Sequence, residues 1–166
     1  MFSNGTTPIA LDDVDRRILA LLQANARTPN AQIAREIGMA PSAVLERIRK
    51  LERNGVIQGY EVKLNPKALG QGLTAFIFVR TEEAVGSFAA GADIARLPEV
   101  MEVHHTAGHD CYLVKARVSD TEGLGALLQK IGRVDTSRDT RTTIVLKTLK
   151  ETLGLPIAVS SQERKK

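Results

Sequence analysis

The apolar positions of this chain keep a helical period through its first third and then change to alternation, and the change divides it in two. Val14, Ile18, Leu21 and Leu22 form one stripe, Ile33, Ala34 and Ile37 a second, and Val44, Ile48 and Leu51 a third. Such spacings put each set on one face of a helix, so the pattern predicts short helices sharing a small core. The punctuation agrees. Asp12 suits the first N-cap, with Asp15 where the helix dipole favours an acid, and the pattern fades near Asn25. Thr28 suits the next N-cap with Pro29 at the first helical position; Gly38 can take the left-handed conformation that stops a helix; Pro41 starts the third helix and Gly55 closes it. The turn falls at residues 38–40, and the third helix presents Ser42, Ala43, Glu46, Arg47 and Lys50 outward. That is the form of a helix-turn-helix whose second helix reads the DNA major groove, and equally of a helical hairpin with a solvated charged face.

Past Gly55 the segment VIQGYEVKL alternates weakly, which suits a short strand or wing, and residues 64–72, with Pro66, Gly70 and Gly72, form a linker. Residues 73–81 then read as a strand with apolar groups on both faces: Leu73, Ala75, Ile77 and Val79 on one, Phe76 and Phe78 on the other. Val85, Phe88, Ala89 and Ala92 fit a helix that Pro98 ends. Residues 100–106 and 112–118 read as strands, Leu124, Leu127, Leu128 and Ile131 as a helix ended by Gly132, and residues 140–149 as a last strand. The order βαββαβ predicts a ferredoxin-like antiparallel sheet with two helices on one face, and the apolar groups on the other face call for a second copy of the chain. The expected class is therefore α+β: a winged helix-turn-helix domain (1–63), a linker (64–72), a ferredoxin-like dimerisation domain (73–150), and a tail (151–166).

Composition narrows the classes without choosing among them. With 166 residues, 43% of them hydrophobic, the chain can build real cores. No apolar run is long enough to span a bilayer, and the polar opening MFSNGTTP has no signal-peptide core, so no membrane partner and a cytoplasmic location are expected. The single cysteine, Cys111, excludes an internal disulfide. A net charge of +4 permits nucleic-acid binding without requiring it.

All three histidines lie at His104, His105 and His109, close to Asp110 and Cys111. These are metal-ligand types, but adjacent strand residues point to opposite faces, so His104 and His105 cannot share a site and no metal or cofactor is expected. Gly108 and Asp110 lie in the loop between two predicted strands. Thr106, Thr140 and Thr142 lie on the predicted strands. Gly and Asp favour turns and Thr favours strands, so ordinary loop and strand chemistry accounts for these residues.

The stretches LDDVDRRILALLQANAR, IAREIGMAPSAVLERIRKLERNGVIQGY, LPEVMEVHHTAGHDCYLVKARVSD and TRTTIVLKTLKETLGLPI, in this order over residues 11–157, resemble the leucine-responsive regulatory protein (Lrp/AsnC, feast/famine) family of transcriptional regulators. The resemblance implies DNA binding through the first domain, and an effector, commonly an amino acid, bound near a protomer interface of the second. It places Gly108 and Asp110 beside that effector, where Gly108 leaves a backbone N–H open to a ligand carboxylate and ionised Asp110 can accept from an ammonium group, with Thr106, Thr140 and Thr142 as further effector-binding hydroxyls. The chain departs from the family at Ala40, commonly Ser there, and at Glu46, commonly basic. Glu46 is expected to pair with Lys50 or to accept from a cytosine, Arg47 to read a base, and Lys50 and Arg53 to hold phosphates. A sirohaem-decarboxylase-like enzyme shares the two-domain plan, but with no Trp and only Tyr60 and Tyr112 the chain has little to grip a macrocycle, so no enzymatic activity is expected. A ligand-sensing module that no longer binds DNA is the other alternative.

Overall fold

The computed structural model describes residues 9–158. They form two compact units, one of residues up to Val62 together with the segment from Thr152, the other Lys63–Glu151.

The first unit holds α1 (Asp13–Ala24), α2 (Asn30–Ile37) and α3 (Pro41–Arg53). The apolar stripes meet in one core of Ile18, Ile33, Ala34, Val44, Ile48 and Leu51, with Val14, Leu21, Leu22 and Ile37 packed against it. Asp12 and Asp15 form a reciprocal capping box at the start of α1. Gly38 ends α2 at φ 75°, where a side chain would be strained. Thr28 departs from its expected role. Its hydroxyl donates to the Asn25 carbonyl at 2.7 Å, so Pro29 stands at the N-cap without a side-chain bond. The expected wing is also absent: residues 58–65 have no hydrogen-bonded strand beside them and leave Tyr60, Val62 and Leu64 exposed. The segment after Glu151 is held to α1 by one side chain, because Gln23 accepts from the Leu155 N–H at 3.0 Å and donates to the Leu155 carbonyl at 2.7 Å.

The second unit opens with a short 3-10 helix (Lys67–Leu69) inside the expected linker. It continues as β1 (Leu73–Thr81), α4 (Ala89–Ile94), β2 (Val100–His105), β3 (Tyr112–Val118), α5 (Thr121–Gly132) and β4 (Ser137–Ile144). The sheet order is β2-β3-β1-β4 with antiparallel neighbours, the ferredoxin-like arrangement. Ala75, Ile77 and Val79 of β1 and Tyr112, Val114, Ala116 and Val118 of β3 pack on Ala90, Ile94, Leu124, Leu127 and Ile131 of the helices. α4 starts later than its apolar pattern indicates. Glu83 accepts from the Ala90 N–H and the Ser87 hydroxyl, which ties the preceding loop into a cap and leaves Val85 exposed. β4 ends earlier than expected, because Ala75 opposite Ile144 is close to the end of β1 and little partner backbone remains.

Candidate nucleic-acid interface and effector loop

α3 leaves Ser42, Glu46, Arg49, Lys50 and Arg53 exposed and Ala43 half-buried, while Val44, Ile48 and Leu51 anchor it in the core. Its N-cap, Ala40, makes no side-chain bond. Glu46 pairs with Arg49 at 3.2 Å, not with Lys50. Among the described residues Lys50 and Arg53 have no acidic partner, and both lie in the last turn of the helix.

Arg47 is the correction on this face. One of its terminal nitrogens donates to Asp12 Oδ2 and to Asp15 Oδ1, each at 2.7 Å, and the Asp15 side chain is only 12% exposed. The cation therefore turns towards α1. It neutralises two carboxylates that the capping box has already brought together, and it fastens the middle of α3 to the start of α1. The Asp15 N–H, and then Arg47, hold the Asp12 carboxyl below its ordinary value of 3.8. Side-chain period alone assigns Arg47 to the outer face. The signal that could have corrected this is two acids three residues apart at one helix start, a concentration of negative charge that calls for a cation.

In the second unit Thr106, Gly108 and Asp110 come together in the loop between β2 and β3. The Thr106 hydroxyl donates to the Asp110 carbonyl at 2.7 Å, and its N–H donates to Cys111 O at 2.9 Å, so the loop closes on itself. Gly108 sits at φ 144°, which a side chain would strain, and an added Cβ would meet nothing within 4 Å. Asp110 reaches out to Arg141 of β4, with Nη2 donating to Oδ2 at 2.8 Å. Arg141 lies opposite Phe78 in the register and covers its ring at 4.2 Å. Thr140 and Thr142 do not join the loop. They lie opposite Val79 and Ile77, whose side chains enter the helix-side core, so their hydroxyls leave the sheet on the face away from Arg141. Sequence reading missed Arg141, although its alternation with those two threonines was visible.

The histidines separate as their adjacency dictates. His105 stands edge-on to Phe88 and Tyr112 at 4.9 and 5.4 Å, whereas His104 lies 3.2 Å from Glu102 on the opposite face. Among the described residues no three His, Cys, Asp or Glu side chains gather as metal ligands, and no helix is long and apolar enough to cross a membrane. The sheet face away from the helices combines half-buried Phe76, Phe78 and Leu113 with an ionic cluster. Lys115 bonds Glu102 at 2.8 Å and Glu151 at 2.7 Å, and Arg117 bonds Glu151 at 2.8 Å. Lys115 is the main cause that holds both glutamates below their ordinary 4.5. On the helix side the Tyr112 hydroxyl donates to Glu83 at 2.7 Å; burial, and then that carboxylate, push the phenol up to about 12.

Residues 11–52 match the AsnC-type helix-turn-helix domain and residues 74–155 the Lrp/AsnC ligand binding domain. The chain is 39% identical over 150 residues to the HTH-type transcriptional regulator FL11 of Pyrococcus abyssi, covering 90% of this chain and 98% of that protein. Its fold is similar to a transcriptional regulator of Neisseria meningitidis solved with L-methionine, at TM-score 0.83 and 30% identity over 89% of this chain and 97% of that one. It is equally similar to a feast or famine regulatory protein of Mycobacterium tuberculosis complexed with L-methionine, at TM-score 0.83 and 35% identity over 90% of this chain and all (100%) of that one.

Proposed function

Because the chain belongs to the Lrp/AsnC family of transcriptional regulators, we propose that it binds operator DNA as a homodimer or larger assembly and takes an amino acid as its effector. The observation that carries the effector reading is the loop of Thr106, Gly108 and Asp110. It offers an unobstructed backbone and a carboxylate on one side of the sheet, in a chain whose structural relatives were solved with L-methionine. On the DNA side, exposed Ser42 and Glu46 meet base edges, and Lys50 and Arg53 hold phosphates beside them. A cytosine N4 is the partner that Glu46 selects once Arg49 is drawn away by phosphate. Arg47 holds the reading helix in place. Phe76 and Leu113 are only half-buried within their unit, and a second copy of the same face covers them in the dimer, beside the Phe78 ring that Arg141 covers.

A thermal-shift screen of the twenty amino acids tests the effector reading. A ligand at 100 times its dissociation constant adds about 2.7 kcal/mol to folded-state stability, enough to raise the melting temperature by several degrees. A flat response to all of them removes the amino-acid effector.

A further inference from the structure

We propose, resting on the effector reading above, that Arg141 is the carboxylate receptor of that site, and that Asp110 and Arg141 close on each other until a free amino acid opens the pair and replaces both bonds. The geometry carries it. Asp110 Oδ2 and Arg141 Nη2 stand 2.8 Å apart across the gap between the β2–β3 loop and β4, two groups of opposite charge that neither the core nor the turn requires. Phe78 holds the guanidinium by its face at 4.2 Å, which fixes the plane of the fork and leaves its edge to receive a carboxylate. Among the described residues only Nη2 of the fork is engaged with an acid, so donors remain. The Arg141 side chain is 65% exposed and that of Asp110 25%, so solutes reach the pair from the arginine side.

A zwitterionic amino acid carries the same two charges in the opposite order. Its carboxylate takes the fork and its ammonium takes Asp110, so opening the pair breaks one charge-assisted bond and makes two. An exposed ion pair is weak in water and opens readily. A molecule with only one of the two charges leaves either Asp110 or Arg141 unpaired and is rejected. The side chain of the amino acid takes no part in this recognition, so the pair selects the class of ligand and leaves the choice within it to other groups. Thr140 and Thr142, on the other face of β4, stand outside this arrangement.

The test crosses a mutation with a ligand modification, using the whole chain and calorimetry. The probes are L-methionine, or whichever of the twenty amino acids raises the melting temperature most, and its methyl ester, which keeps the ammonium but lacks the carboxylate. The unaltered chain is expected to bind the free amino acid about 10- to 100-fold more tightly than the ester, the range for a bond to a charged group. In Arg141→Gln that preference should vanish while the melting temperature without ligand stays close to the parent's; Arg141→Lys should restore part of it. Asp110→Asn should weaken free acid and ester alike. If Arg141→Gln keeps the full preference for the free acid, Arg141 does not bind the carboxylate and the proposal fails, while weakening by Asp110→Asn alone would leave the effector reading standing. If no amino acid binds the unaltered chain, both fall together.

Discussion

Replacing Arg47 by Met keeps the aliphatic stem packed between α1 and α3 and removes the charge that joins them. Two charge-assisted bonds of 2.7 Å disappear, to carboxylates of unequal exposure: the Asp15 side chain at 12% and that of Asp12 at 52%. A bond to a charged group contributes about 1.5 to 3 kcal/mol. Solvent screening discounts the Asp12 bond towards the roughly 0 to 1 kcal/mol of exposed pairs. Removing Arg47 also leaves the two carboxylates of the capping box facing each other unneutralised, so the expected destabilisation is about 2 to 3 kcal/mol. Urea unfolding at pH 7 measures it, and Arg47→Lys should recover part of the stability, since a single nitrogen makes both bonds. The DNA measurement separates this role from the alternatives. Operator variants differing by single base pairs, each titrated at two salt concentrations, should all bind more weakly by a common factor, with the salt dependence unchanged, because every phosphate keeps its cation. Lys50→Ala should flatten that dependence by about one unit for each phosphate that Lys50 neutralises. Preference relaxed at one operator position by Arg47→Met would make Arg47 a base reader and refute the reasoning; a flattened salt dependence would make it a phosphate clamp.

Three further outcomes are expected. Gly91→Ala places a Cβ 2.9 Å from Tyr112 Cζ and closer still to Cε1, against a ring whose hydroxyl is tied to Glu83, and should cost about 1 to 3 kcal/mol in denaturant unfolding. Glu102 and Glu151 are held below their ordinary 4.5, so the stability they contribute is complete above that pH and is lost as pH falls through their lower folded values; Lys115→Met should flatten the fall in melting temperature below about pH 4.5. The proposed dimer should sediment as such at micromolar concentration and Phe76→Asp as a monomer; an unchanged dimer would place the interface elsewhere.

How far the sequence foretold this molecule depended on whether one period was enough. The three helices and their shared core follow from apolar spacing, because Ile18, Ile33, Val44 and Ile48 have no other way to leave water. The alternation of β1 told both faces apart, and strand order followed from the connections. Where a residue chooses among partners on different elements, local pattern was silent. Arg47 sits on an outward-facing position by period, yet a long side chain reaches sideways to acids 32 and 35 residues away. The Thr28 hydroxyl found the Asn25 carbonyl before it found the next helix. Thr140 and Thr142 looked suited to join Gly108 and Asp110 by chemistry, but the strand register puts them on the helix-side face, opposite to that of Arg141, which pairs with Asp110. The late start of α4 had no local sign, since it depends on Glu83 folding back over Ala90.

If an amino acid held by the second unit changes how the first unit reads DNA, one titration will show it. Fluorescence anisotropy of a labelled duplex from the gene's own promoter region, with the full chain at 150 mM salt, is run with and without the amino acid that most raises the melting temperature. The expected result is promoter binding well above that to a scrambled duplex, a midpoint or cooperativity that moves when the amino acid is added, and no movement in Asp110→Asn. Promoter binding that is indifferent to all twenty amino acids, or no preference for the promoter over the scrambled duplex, would contradict this coupling of sensing to DNA reading.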